Sequence, residues 1–334
     1  MKKIINWAVA GTGGISNAFV QGLQDAEGAK PYAVVSRFKE NAERFAAKYG
    51  VEKTYTRFDA MLDDSKIDVV YLGVPHSAHR ELAIAAFTAG KAVLCEKPAA
   101  LNAAELTSMI DCARRQKVFF MEALWPRFVP PVCKAREWLS GGLAGEIRMV
   151  QGNFGFKADL PPEHRLRNIA LGGGALLDAG VYPISFASLA FGGKRPQKIS
   201  GALSLGETGV DEEAAALLYW GPHQTALVSA SIALATVNDL WIYGTKGYIH
   251  LPSFVSCRTA NLVLPGRPPG HWEGVFRGNG YNYEADAVMD CLRAGHTESS
   301  VMPLDESLVI AEIMDEIRLQ WGFKYPQETH ADAG

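Results

Sequence analysis

The sequence is poor in the features that mark several large protein classes. Its 334 residues include only five cysteines, Cys95, Cys112, Cys133, Cys257 and Cys291, widely spaced and never arranged as CxxC. That pattern disfavours a zinc ribbon or a disulfide framework and fits reduced thiols in a cytoplasmic protein. Charge of one sign is not in excess, because 33 Lys and Arg stand against 36 Asp and Glu. Such a balance gives no general attraction to nucleic acid or to an anionic membrane, so any phosphate must be bound by a local site. The apolar start at Ile4-Ile5 breaks at Asn6 and runs into glycines, too short for a signal segment. No stretch reads as a bilayer span, and there is no internal repeat or low-complexity segment. The expectation is a cytoplasmic chain with neither nucleic acid nor membrane as partner.

What is present is an ordinary globular composition, 48% hydrophobic and 21% charged. At roughly 150 residues per domain the length predicts two domains. Short apolar runs at residues 7–10, 32–35, 68–73 and 92–95 alternate with helical stretches at 16–25, 39–49, 80–89 and 103–115. Strands that are apolar throughout, separated by helices, predict a parallel sheet covered on both faces. After Trp125 the texture changes. Longer strands are expected at 147–157, 198–205, 214–220, 225–233 and 238–243, then a Pro- and Gly-rich loop at 264–270 and helices at 282–294 and 305–321. The fold class is therefore α/β: an N-terminal Rossmann-type domain, residues 1–124, and a C-terminal α+β domain, residues 125–334, with a large, mostly antiparallel open sheet.

The first strand ends in Gly11-Thr12-Gly13-Gly14-Ile15-Ser16. Glycines there permit a tight turn and close approach of a pyrophosphate, which the following helix N-terminus receives with free N–H groups and partial positive charge. Ser16 replaces the third motif glycine but is small enough for helix–strand packing. The motif is weak alone; its place in a βαβ pattern strengthens it. The second strand ends Val34-Val35-Ser36-Arg37 with no carboxylate to bind a ribose 2′-hydroxyl. Ser36 and Arg37 suit a 2′-phosphate instead, so NADP is the expected cofactor, with NAD use left open.

Two further clusters carry candidate chemistry. Glu96-Lys97-Pro98 follows the fourth buried strand, at the carboxyl edge where open α/β sheets bind ligands. A lysine there can hydrogen-bond a reacting oxygen or exchange a proton with it, and it reads equally well as a surface Lys beside a Glu partner. The run Gly172-Gly173-Gly174 opens a helix on which Asp178 and Tyr182, four residues apart, share a face. They form an acid–base candidate or, with equal weight, a dipole-compensating Asp and a core Tyr.

Taken together, these motifs resemble the Gfo/Idh/MocA oxidoreductase family, and within it the branch of dimeric dihydrodiol dehydrogenases and NADP-dependent D-xylose dehydrogenases. The segments that carry the resemblance are 10–16, 73–79, 90–98 and 121–128 and the glycine-rich run to Tyr182. The resemblance spans essentially the whole chain; its Glu-Lys-Pro and Met-Glu-Ala-Leu-Trp segments are the specific part. It implies cofactor contacts from Gly11, Thr12, Gly13, Gly14, Ile15, Ser36, Arg37, Gly73, Pro75, His76, His79, Glu96 and Lys97. It implies catalysis by Lys97, Asp178 and Tyr182, with Tyr where many members carry His, and a substrate pocket walled by Trp125 and Phe154. No third ligand accompanies His76 and His79, so no metal is expected. It also implies a homodimer formed through the C-terminal sheet. The expected activity is hydride transfer between NADP and a CH–OH or carbonyl carbon of a small sugar, polyol or cyclic trans-dihydrodiol. The alternative is a cofactor-binding regulator without turnover.

Overall fold

The computed structural model describes residues 3–329. Met1 and Lys2, part of the start weighed as a signal segment, and residues 330–334 of the second expected domain lie outside the described residues. The chain divides into two compact units. The first comprises the chain up to Ala100, Ala104–Phe128 and Phe276–Leu304; the second comprises Leu101–Ala103, Val129–Val275 and the chain from Asp305 on.

In the first unit six strands, β1 (Ile5–Ala10), β2 (Ala29–Val35), β3 (Lys53–Tyr55), β4 (Val69–Leu72), β5 (Ala92–Glu96) and β6 (Phe120–Ala123), form a parallel sheet in the order β3-β2-β1-β4-β5-β6. Helices α1 (Gly14–Leu23), α2 (Lys39–Tyr49), α3 (Phe58–Leu62), α4 (His79–Thr88) and α5 (Ala103–Gln116) connect them. Trp7, Ala8, Val9, Val69, Val70, Tyr71, Leu72, Val93 and Leu94 are fully buried, as helices on both faces of a parallel sheet require. The strand order reverses between β1 and β4, the point at which doubly wound sheets bind nucleotides.

The expected boundary at residue 124 is not a single cut. Residues 125–128 stay with the first unit, and the chain returns to it at 276–304. The glycine at position 22, inside α1, is the reason this return packs closely. A Cβ there would stand 2.5 Å from Asn279 Oδ1 and 2.8 Å from Tyr281 Cβ. Asn279 Nδ2 also donates to Ala18 O at 2.7 Å.

In the second unit α6 (Pro130–Ser140) precedes β7 (Ile147–Gly155), and the strands β8 (Lys198–Leu205), β9 (Asp211–Gly221), β10 (Gln224–Ser231), β11 (Leu240–Gly244), β12 (Gly247–Leu251), β13 (Thr259–Val263) and β14 (Gly270–Glu273) complete a sheet ordered β14-β13-β12-β11-β7-β10-β9-β8. Every pairing is antiparallel except β10 with β7. One cross-strand row, Leu218, Ala226, Val150, Ile242, Ile249 and Leu262, is buried from end to end. The helix α7 (Val181–Ala190) packs on β7 and β10 and is buried on nearly every side.

The helical run Ile169–Ala190 corrects the expectation that no segment has the length and composition of a bilayer span. An 18-residue window within its 22 residues reaches a mean hydropathy of 1.3, but 83% of that window is buried within the fold, so its apolar surface meets protein. Its winding also departs from a plain α-helix. Leu176–Gly180 is a π-helical turn, and the N–H of Val181 reaches back five residues to Leu176 O. Pro183 lies just beyond; it has no N–H to donate, and its ring crowds the carbonyl one turn back, which a wider turn accommodates.

Candidate functional site

In the first unit the predicted cofactor residues gather at the carboxyl ends of β1, β2, β4 and β5. Gly11 sits at φ +95, and a Cβ there would stand 2.5 Å from Gly73 O. No other residue lets the turn after β1 lie against the end of β4. Ser16 occupies the third motif position with its Oγ donating to Gly73 O at 3.3 Å, and a Cβ on Gly73 would collide with that hydroxyl. Ser16 thus serves helix–strand contact as a glycine would. Gly13 and Gly14 differ from Gly11, because a Cβ at either would meet nothing within 4 Å. Above them is open space. Helix α1 begins there without a side-chain cap and without an acidic residue in its first turn. The N–H groups of Gly14, Ile15 and Ser16 have no intrahelical acceptor. An uncovered, uncapped N-terminus behind two Cβ-less positions fits a pyrophosphate. At the end of β2, Ser36 is half-buried and Arg37 exposed, with no carboxylate at the turn.

His76 and His79 are buried, and their rings lie 5.6 Å apart. Both ring nitrogens of His79 are engaged by carbonyl oxygens, Nδ1 with Pro98 and Nε2 with Val74, each at 3.0 Å. His79 therefore fastens the loop after β4 to the loop after β5. Glu96 ends β5 and Lys97 follows it; they are 5% and 8% exposed. The Glu96 carboxylate accepts the Tyr71 hydroxyl at 2.6 Å and, more weakly, the Lys97 backbone N–H at 3.3 Å. The Trp125 ring stands 4.9 Å from that of Tyr281, and Gly280, at φ +110, has no Cβ because Trp125 occupies its space.

In the second unit Asp178 lies in the π-helical turn and Tyr182 in the first turn of α7, both nearly buried. The Phe154 ring, on β7, meets the Tyr182 ring edge-on at 5.3 Å and 78°. Arg165 Nη1 donates to Asp178 Oδ1 at 2.9 Å. A carboxylate, a phenol and a flat apolar wall are thereby held together in one unit, residue types that can serve acid–base chemistry beside an apolar ring face.

Several residues escaped the sequence reading. Tyr71 holds Glu96 in place, and burial beside Glu96 and Glu284 pushes its phenol well above its ordinary range. Its only signal is a lone hydroxyl-bearing residue in an aliphatic strand. Glu284, fully buried on α8 (Tyr281–Arg293), has its carboxyl pushed well above the usual carboxylate range by burial and by the charge of Glu96. Arg165 stands in a stretch without periodicity and leaves no signal. Asp211, at the start of β9, accepts the Leu176 N–H at 2.5 Å and so caps the helical run that carries Asp178 and Tyr182.

Residues 5–124 match the model of an oxidoreductase family with an NAD-binding Rossmann fold, and residues 132–250 match the model of the GFO/IDH/MocA C-terminal domain. The trans-1,2-dihydrobenzene-1,2-diol dehydrogenase of Xenopus laevis is 37% identical over 96% of this chain and 99% of its own length. The human enzyme of that name is 36% identical over 97% and 99%. An aldose–aldose oxidoreductase from Caulobacter crescentus, crystallised with glycerol, shares the fold with a TM-score of 0.87 at 24% identity, covering 96% of this chain and 99% of that one. With a nucleotide-binding turn built for a nicotinamide dinucleotide and near full-length relatives above one-third identity, the chain belongs to the GFO/IDH/MocA oxidoreductase family.

Proposed function

We propose that this oxidoreductase is an NADP-dependent dehydrogenase acting on a small ring that carries adjacent hydroxyls, a cyclic trans-dihydrodiol or a sugar. The observation that carries the substrate class is the edge-on packing of Phe154 against Tyr182, with Asp178 one turn away. An apolar wall beside an acid–base pair suits a molecule that is apolar on its face and polar at its rim. The relatives named for dihydrodiol oxidation point the same way.

When bound, the nicotinamide supplies the two-electron, hydride-accepting chemistry. The glycine turn and the start of α1 hold the pyrophosphate, and Ser36 and Arg37 receive the adenosine end. Tyr182 takes the proton of the reacting hydroxyl during oxidation and returns it during reduction. Lys97, at the carboxyl edge of the first sheet, has the chemistry to stabilise negative charge developing on a reacting oxygen. Asp178, held by Arg165, accepts the neighbouring hydroxyl and fixes which carbon reacts. Glu96, anchored by Tyr71, sets the backbone at Lys97.

Single-turnover measurements with NADP and a trans-dihydrodiol or aldose panel test these roles. Removing the acid–base group in Tyr182→Phe is expected to lower the rate about 10²- to 10⁴-fold. Lys97→Met is expected to fall at least as far while still binding the dinucleotide. A Tyr182→Phe variant with nearly the full rate would move the proton to Lys97. Dinucleotide binding without turnover on any substrate of the panel would make the chain a regulator.

We further propose a cytoplasmic homodimer joined through the exposed face of the second sheet. Among the described residues its five cysteines form no disulfide, which is compatible with a reducing compartment. Leu217 and Leu227, paired directly across β9 and β10, are 46% and 44% exposed and support an apolar contact surface.

A further inference from the structure

Beside the glycine turn lies a cleft of about 280 Å³ lined by Thr12, Asn17, Asn41, Arg44, Phe45 and Lys48. The last four recur on α2 at i, i+3, i+4 and i+7, which is one face of the helix. The acids of the same helix lie off that face: Glu40 is in the first turn, and Glu43 pairs with Lys39 at 3.6 Å. Arg44 Nη2 donates to Asn41 Oδ1 at 3.2 Å, and Lys48 Nζ to Asn17 Oδ1 at 3.0 Å. Lys48 also stands 4.8 Å from the Tyr49 ring centre. Among the described residues neither cation has a carboxylate partner within ion-pair distance. Two cations aimed into one cleft by neutral amides, without a counter-charge, select an anion. The cleft is bounded by Thr12 of the turn that receives the dinucleotide, and Ser36 and Arg37 immediately precede α2. A ligand seated on that turn would bring an anionic group within reach of the cleft.

We propose that Arg44 and Lys48 recognise the 2′-phosphate of the dinucleotide together with Ser36 and Arg37, and that this pair, more than Arg37, sets the preference for the phosphorylated cofactor. The proposal rests on the reading of the chain as NADP-dependent. The physical reason is charge count. A phosphate monoester carries close to two negative charges near pH 7. The exposed Arg37 alone leaves part of that charge to water, whereas Arg44 and Lys48 stand at successive turns of a helix with side chains already oriented by Asn41 and Asn17.

The test is calorimetric titration of the full chain with NADPH, NADH, 2′,5′-ADP, 5′-AMP and inorganic phosphate, none of which requires turnover. Wild type is expected to bind NADPH at least about tenfold more tightly than NADH, and 2′,5′-ADP more tightly than 5′-AMP by a similar factor. Arg44→Met should lose about tenfold and Lys48→Met about threefold for NADPH and 2′,5′-ADP, the double variant about thirtyfold, with NADH and 5′-AMP changed less than about twofold. Both side chains are exposed, so equal melting temperatures are expected for all variants. A double variant that keeps the wild-type ratio of NADPH to NADH affinity overturns the proposal and leaves the NADP reading standing. A wild type that binds NADH as tightly as NADPH overturns both. Inorganic phosphate binding as tightly as 2′,5′-ADP would make the cleft a site for free anions and also overturn it.

Discussion

Asp211 touches none of the reacting groups, yet its carboxyl caps the helical run on which Asp178 and Tyr182 sit. One oxygen accepts the Leu176 N–H, and the other is buried without a hydrogen-bond partner. Burial pushes this carboxyl up to about 7; the backbone N–H groups of Leu176, Asp211 and Ala175 and the charge of Arg318 pull against that rise. Between about pH 4 and pH 7 the group is protonated in the folded chain and ionised in the unfolded one. The folded state then binds one more proton, so stability falls as pH rises across that window and levels above it. Asp211→Asn keeps an acceptor for Leu176 and cannot ionise. Its melting temperature relative to wild type should rise from pH 4.5 to pH 7.5, by an amount equivalent to about 1–3 kcal/mol. Thermal melts across that series check it, and a constant offset would mean the carboxyl does not change charge in the folded chain.

The turn between β1 and α1 separates two roles of glycine that look identical in the sequence. Gly11→Ala forces a Cβ against Gly73 O at a positive φ, so the apo chain should lose about 2–4 kcal/mol. Gly13, at φ −72, accepts any residue without strain, and its Cβ would enter open space. Gly13→Ala should therefore leave the apo melting temperature unchanged while weakening dinucleotide binding about tenfold or more by filling the space above the turn. Denaturant unfolding and dinucleotide titration of the two variants distinguish them. A Gly13→Ala variant that binds the dinucleotide normally would place the pyrophosphate elsewhere. The helices and buried strands around this turn were legible because their apolar periodicity is uninterrupted. The three-residue β3 is an exposed edge strand without an apolar run, and β6 carries Glu122 in its middle, so neither announced itself. The strands β12 and β13 were hidden by intermediate burial, and β14 begins where a Pro- and Gly-rich loop was expected. The spacing of Asp178 and Tyr182 was legible, but the π-helical turn that holds Asp178 was not, because a wider turn depends on surrounding packing that no local pattern encodes. Arg165 likewise meets Asp178 only through tertiary structure.

For the whole molecule, the sequence suggested two consecutive domains, and the return of residues 276–304 to the first unit shows what a linear reading misses: a helix records that it has an apolar face, not which sheet it covers. The second sheet poses the same question for its outer face. One row on that face takes a residue from every strand: Ser200, Leu217, Leu227, Gln151, Trp241, His250, Asn261 and His271. Trp241 and His250 stack at 4.7 Å, giving a flat aromatic platform separated from the two leucines by Gln151 of β7. A broad, regular face of this kind suits a two-fold contact in which each subunit presents the same patch, and a stable dimer buries roughly 1,200–2,000 Å² in total. Leu217→Lys combined with Leu227→Glu tests it without opening the sheet, because opposite charges on directly paired residues attract across the strands. Light scattering should give a dimer for the wild-type chain and a monomer for the double variant, whose melting temperature at high dilution should match that of dissociated wild type. A wild type that is monomeric at micromolar concentration, or a double variant that remains dimeric, would remove this face from the interface.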